Sequence, residues 1–194
     1  MKELETLNKQ NFEDLIKGKK SFLSSLDTLP KAIFSGSFNP LHQGHKTMHD
    51  HARKVLNTDI FFEVCIQNAD KPALNYEEVT NVINQFSSSH NWLLTKAGKF
   101  TEKAMLFPNT TFLLGADTLA RVVNEKFYLN KDQMLVELEI FNSNNNNFLV
   151  FGREVEGSFI SLQDINIPKH INSRFAEVAE QDFRLDISSS SLRA

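Results

Sequence analysis

Two short stretches carry the residues that could do chemistry. One is Gly36-Ser37-Phe38-Asn39-Pro40-Leu41-His42-Gln43-Gly44-His45, and the other is Ile187-Ser188-Ser189-Ser190-Ser191-Leu192-Arg193 near the far end of the chain. In the first, Gly36 and Gly44 lack a Cβ, so the backbone can turn sharply and a ligand can approach it. Pro40 stiffens the loop and removes one amide donor, and Asn39 favours a turn by bonding its own backbone. His42 and His45 bring two imidazoles to one place. His45 falls in the first turn of the helix expected over about 46–56, where its N–H can meet a phosphate oxygen beside the positive end of the helix dipole. In the second stretch the hydroxyls and amides of Ser189 and Ser190, with Arg193, can grip phosphates at a helix N-terminus. Serines that merely cap a helix would look the same. Taken alone the two uses are even, and the presence of the first stretch favours phosphate binding.

The elements that must position these stretches follow an alternating pattern. Strands are expected at about 31–35, 60–66, 92–95 and 111–114, each followed by a helical segment (46–56, 76–86, 102–107, and one opening at Gly115-Ala116-Asp117-Thr118). The run from Ile60 to Ile66 is nearly all apolar, as suits a strand buried on both faces. A helix is expected at 132–141, a fifth strand at 148–151 closing on Gly152-Arg153, and short strands at 158–162 and 183–187. Strands alternating with helices predict an α/β fold, a Rossmann-like parallel sheet with helices on both faces and a ligand cleft at the strands' carboxyl ends. Every chemical motif falls at such an end. Residues 1–29 read as two helices broken near Gly18, packed as an extension on a single domain spanning 1–194; self-association through their apolar stripe is the alternative use. Asn142–Asn147 reads as a polar surface loop.

Composition narrows the classes. The chain has 194 residues, 41% hydrophobic and 23% charged, with a net charge of −3. That is enough for one domain with a core, and the charge argues against nucleic-acid or membrane partners. The single Cys65 allows no internal disulfide and is expected to be buried and inert. The N-terminus has no apolar signal region, no run approaches a membrane span, and a cytoplasmic home is expected. His45 and His49 share a helix face at a spacing that can bind metal. No Glu completes an HExxH pattern, so no metal site is assigned, and His49 and His51 are expected to face solvent.

The ten-residue Gly36–His45 stretch, in its strand–loop–helix setting, resembles the phosphate-binding signature of the HxGH nucleotidylyltransferase superfamily. Its GSFNP form is most similar to the nicotinamide and nicotinate mononucleotide adenylyltransferases. ISSSSLR resembles the ISSTxxR signature that ends their catalytic domain, Gly115-Ala116-Asp117 resembles their GAD or GSD, and Gly152-Arg153 resembles another recurrent piece. Asn68–Pro72 resembles their substrate-side loop, with Lys71 in its basic position.

The resemblance implies transfer of AMP from ATP to the 5′-phosphate of nicotinamide or nicotinate mononucleotide, with Mg²⁺ carried mainly by the ATP phosphates. It casts His42 and His45 as catalytic. Gly36, Ser37, Phe38, Asn39, Gly44, Lys46, Ser189, Ser190 and Arg193 would bind ATP phosphates, and Lys71, Gly115, Asp117 and Arg153 the nucleotide and acceptor. A cytidylyltransferase-like transfer to another acceptor, or a nucleotide-binding module without turnover, is the alternative. The chain departs from the pattern in three places, one being that it stops one residue after Arg193, short of the longer final helix the resemblance leads one to expect. Residues 77–84 hold no arginine, with Thr80 and Asn81 where one is usual, and Phe127 and Tyr128 stand where a tryptophan often marks the pocket.

Overall fold

Side chains buried on both faces leave central strands little but apolar residues and small ones. Ala32–Ser35, Ile60–Cys65, Thr111–Gly115 and Asn147–Phe151 largely meet that requirement, with the buried Glu63 as an exception, and form the middle of one sheet. The computed structural model describes residues 7–67, 72–155 and 157–183. Its elements run α1 (Lys9–Ile16), β1 (Phe22–Ser24), β2 (Ala32–Ser35), α2 (Gln43–Leu56), β3 (Ile60–Cys65), α3 (Tyr76–Ile83), β4 (Asn91–Thr95) and α4 (Phe100–Leu106). There follow β5 (Thr111–Gly115), α5 (Ala116–Val122), α6 (Lys131–Leu138), α7 (Ile140–Ser143), β6 (Asn147–Phe151), β7 (Arg153–Val155), β8 (Ser158–Ile160) and β9 (Phe175–Val178).

The main sheet has the order β1-β4-β3-β2-β5-β6-β9, and every pair is parallel except β1 with β4. The chain therefore builds outward from β2 through β3 to β4, then returns to β5 on the other side. That reversal between β2 and β5 opens a crevice at their carboxyl ends, where sheets of this kind bind ligands. The fold is the Rossmann-like α/β architecture expected, with one apolar core on each face of the sheet. Among the described residues no helix is long and apolar enough to cross a membrane.

Four expectations need correction. Phe22–Ser24 is not helical but an edge strand, Phe22 opposite Thr95. The open edge of β4 supplies hydrogen-bonding groups that local helical periodicity cannot match; Ser25 N–H donates to Trp92 O and its hydroxyl accepts Trp92 N–H. Gly18 does end α1, at φ 74°. The helix expected over 132–141 divides at Glu139 into α6 and α7. The asparagine run is not wholly surface. Asn146 is buried, and its Nδ2 donates to Phe107 O at 2.8 Å and Thr110 O at 3.2 Å. His49 is buried too, its ring stacked on Phe62 at 4.8 Å. β9, which pairs β6, was not anticipated, and the strand expected over 183–187 lies beyond Phe183 outside the described residues.

Candidate functional site

The loop after β2 leaves the sheet at the crevice. Gly36 N–H donates to Glu63 O at 3.1 Å, which continues the ladder with β3 for one more residue. Phe38 then turns at φ 45° and drives its ring into the core, fully buried against Phe34, Phe62 and Phe86. A Cβ at position 36 would come 2.7 Å from Phe38 Cζ, so Gly36 is required by the inserted ring. Phe38 thus anchors the loop, and only its backbone is left to face a ligand. Ser37 and Asn39 are exposed at the loop surface, and the Asn39–Pro40 peptide is cis.

Gln85, just past α3, clasps this loop on both sides of Pro40. Its Oε1 accepts Leu41 N–H at 2.8 Å and its Nε2 donates to Phe38 O at 3.2 Å. Nothing in the sequence marks this glutamine.

His42 is the N-cap of α2 and His45 lies in its first turn. The rings stack with centroids 3.7 Å apart and planes 25° from parallel. His42 N–H donates to His45 Nδ1 at 3.4 Å. An imidazole that accepts at Nδ1 carries its proton at Nε2, so His45 presents an Nε2–H donor. Burial, then the neighbouring His42, then the Arg153 guanidinium depress the His45 pKa to about 3. Burial and Arg153 lower that of His42 as well. At neutral pH both rings are neutral hydrogen-bonding groups.

Arg153 begins β7, and its Nε is 4.0 Å from Asp117 Oδ1 in the first turn of α5. Gly115 ends β5 and caps α5; a side chain there would overlap the Asp117 carboxylate. The structure therefore brings Gly36, His42, His45, Gly115, Asp117 and Arg153 to the carboxyl ends of β2, β5 and β6. Gly44 is buried within α2, and Lys46 is exposed on the same helix. Lys71, Ser189, Ser190 and Arg193 lie outside the described residues.

Beside the loop opens a cleft of about 560 Å³. Ser35, Gly36, Ser37 and Asn39 form one side, Glu78, Asn81 and Gln85 of the α3 segment a second, and Lys99, Phe100 and Lys103 a third. Arg121, Phe127 and Tyr128 complete it, so Phe127 and Tyr128 do line the pocket where a tryptophan was the expected type. Asn81, at the position of the missing arginine, lines it too. Burial and Glu137 push the Tyr128 phenol up to about 12, and it donates to Val122 O at 2.6 Å. Cys65 is only partly buried and faces the cleft. Burial raises its pKa, so it stays a thiol, within 2.9 Å of Gln67 O and 3.1 Å of Ala97 O.

The floor holds the feature that sequence reading passed over. Glu63 on β3 is wholly buried and accepts Lys103 Nζ on both carboxylate oxygens, at 2.8 and 2.7 Å. Thr95 Oγ1 donates to the same carboxylate at 2.6 Å. The available signal was a lone glutamate inside an otherwise apolar strand. Among the described residues no group of three His, Cys, Asp or Glu gathers to hold a metal ion.

Comparison with known proteins adds the following. No curated protein sequence matches the chain. The solved structure of Plasmodium falciparum nicotinic acid mononucleotide adenylyltransferase complexed with NaAD is similar at 20% identity, covering 84% of this chain and 81% of that one, with a TM-score of 0.45. The same enzyme complexed with APC is similar at 18% identity, covering 86% and 83%, with a TM-score of 0.43. A sequence-family model described as cytidylyltransferase-like matches residues 33–194. This span takes in the β2 loop, the histidine pair and the cleft, and the chain belongs to the cytidylyltransferase-like family.

Proposed function

We propose that this protein is a nucleotidyltransferase that moves AMP from ATP to the 5′-phosphate of nicotinamide or nicotinate mononucleotide. A phosphate oxygen of the acceptor attacks the α-phosphorus of ATP, the bond from that phosphorus to the bridging oxygen breaks, and pyrophosphate leaves with the electron pair. The acceptor phosphate has a second pKa near ~6 and is largely ionised at neutral pH, so no general base is required. What remains is to position two anions and to stabilise charge in line at phosphorus.

The observation that carries the proposal is the fixed, neutral His45 at the start of α2, with its Nε2–H free of the Nδ1 contact that His42 N–H makes. A neutral donor at a helix N-terminus can bond the α-phosphate without holding pyrophosphate back by full charge. His42 orients it by stacking, and Arg153 adds positive charge beside both rings. Asp117 serves the nucleoside side. Gly36, Ser37 and Asn39 supply loop backbone for phosphates. Lys46 and Lys71 are assigned to the phosphates on the family resemblance, and Ser189, Ser190 and Arg193 on that resemblance together with their hydroxyl and guanidinium chemistry. With no carboxylate cluster among the described residues, Mg²⁺ would ride on the phosphates and water, where it neutralises charge on the leaving group.

The test is pyrophosphate release from ATP and Mg²⁺ with each mononucleotide, the dinucleotide product identified by mass. A second reading rests on the absence of arginine from residues 77–84: a nucleotide-binding protein without turnover. ATP binding with no pyrophosphate release for any acceptor or for CTP would select it.

A further inference from the structure

The strands align three polar groups across the cleft floor. Ser35 is opposite Glu63 in the β2–β3 register, and Thr95 of β4 bonds the Glu63 carboxylate. Lys103 reaches this floor from α4, its side chain 4% exposed, and lines the cleft with Ser35 and Glu63. Removing two charges from water is costly, and an apolar pair of similar volume often serves stability equally well. A buried ion pair at the bottom of a ligand cleft therefore calls for a reason other than stability.

Lys103 Nζ has three N–H donors. Two go to Glu63. Among the described residues the third has no protein acceptor, and Ser35 Oγ is likewise buried without one. Around them three cations sit over three aromatic rings that line the same cleft. Lys103 is 5.8 Å from the Phe100 ring centre, Lys99 is 5.1 Å from Tyr128, and Arg121 is 5.1 Å from Phe127. Flat rings bordered by donors suit a planar heteroaromatic base carrying an oxygen acceptor.

We infer that Lys103, held by Glu63, is a specificity-determining residue that donates its remaining N–H to the carbonyl or carboxylate oxygen on the acceptor's ring. This rests on the adenylyl-transfer reading of the same site and adds the group that selects the acceptor. Glu63 fixes the ammonium in direction and offsets its charge, so recognition proceeds through one aimed donor rather than a diffuse positive field.

The experiment compares the wild-type protein with the double variant Glu63→Leu/Lys103→Met, which removes both charges together and leaves no unpaired ion in the core. Affinities for ATP, nicotinamide mononucleotide and nicotinate mononucleotide are measured by calorimetry alongside steady-state kinetics. Loss of one hydrogen bond to a charged donor predicts acceptor binding weaker by roughly 10- to 100-fold, with ATP affinity and melting temperature close to wild type. Lys103→Met alone strands a buried carboxylate and is expected to melt lower. If the folded double variant binds and uses the acceptor as the wild type does, the pair is structural and the inference falls while adenylyl transfer stands. If the wild-type protein binds neither mononucleotide, both fall together.

Discussion

Gln85 and Leu41 are 44 residues apart in sequence, yet the Gln85 side-chain oxygen accepts the Leu41 backbone N–H at 2.8 Å. The same side chain donates to Phe38 O. One amide thus ties the wall of the cleft to both sides of the turn that leads into His42. Gln85 is exposed, so these bonds add little to global stability. Their use is to hold the loop in register with the helix start. Gln85→Ala is expected to lower kcat by about tenfold or more, because small misplacements of reacting groups are costly, while the melting temperature stays within a few degrees. Gln85→Glu keeps the acceptor for Leu41 N–H but loses the donor to Phe38 O, and should fall between the two. Unchanged kcat in Gln85→Ala would show that the loop holds its shape without the clasp.

Gly36 makes the complementary test from below the loop. Gly36→Ala would press a methyl carbon against the Phe38 ring, whose neighbours Phe34, Phe62 and Phe86 leave it no room to retreat. Overpacking of this kind costs about 1–3 kcal/mol, and the loop shifts with it. Denaturant unfolding should show that loss, and turnover should drop further than stability does. Wild-type stability would mean that the ring moves freely.

Acid should weaken the ligand-free fold through the histidine pair. The His45 pKa is about 3 in the folded protein, against an ordinary value of 6.5, and that of His42 is lowered too. Between those limits the unfolded chain binds more protons than the folded one, so stability rises with pH. The contribution is fully present above about pH 6.5 and is lost progressively as pH falls towards the folded value. Melting temperatures from pH 7.5 down to 5 should decline for the wild type and decline less for His45→Gln. Equal slopes would show that other groups set the acid sensitivity.

Asn146→Ala separates stability from function. It removes donors to two buried carbonyls, of Phe107 and Thr110, far from the histidines in sequence. Unsatisfied buried groups cost about 1–3 kcal/mol. Thermal unfolding should report that loss with kcat/KM unchanged, and a fall in kcat/KM would link the β5–β6 end to the site.

Much of the centre of this fold was legible because its strands are apolar on both faces and each is followed by a helix. Ala32–Ser35 and Ile60–Cys65 announce themselves in that way. Phe22–Ser24 does not, since a three-residue edge strand is decided by the open edge of β4 rather than by its own pattern. His42 and His45 were legible through their spacing in a glycine-bounded loop, and the structure brings them within stacking distance. The tautomer was not, because it rests on the cap geometry that puts the His42 N–H on His45 Nδ1, and neither were the depressed pKa and the reach of Arg153, which depend on burial and on a residue brought in from a distant strand. Gln85 is one polar residue among many at a helix end. Glu63 was visible as a charge in an apolar strand, but its partner Lys103, 40 residues on, is set only by the packing of α4 against the sheet.

The central claim is that His45 assists transfer at the α-phosphorus. The most direct test measures pyrophosphate release and dinucleotide formation from ATP with nicotinamide or nicotinate mononucleotide, for the wild type and His45→Ala side by side. The account predicts product from the wild-type protein with at least one acceptor, and turnover in His45→Ala reduced by about a hundredfold or more, with ATP still bound. Turnover near wild type in His45→Ala would contradict the role of the histidine, and the absence of pyrophosphate with either acceptor would contradict the proposed reaction itself.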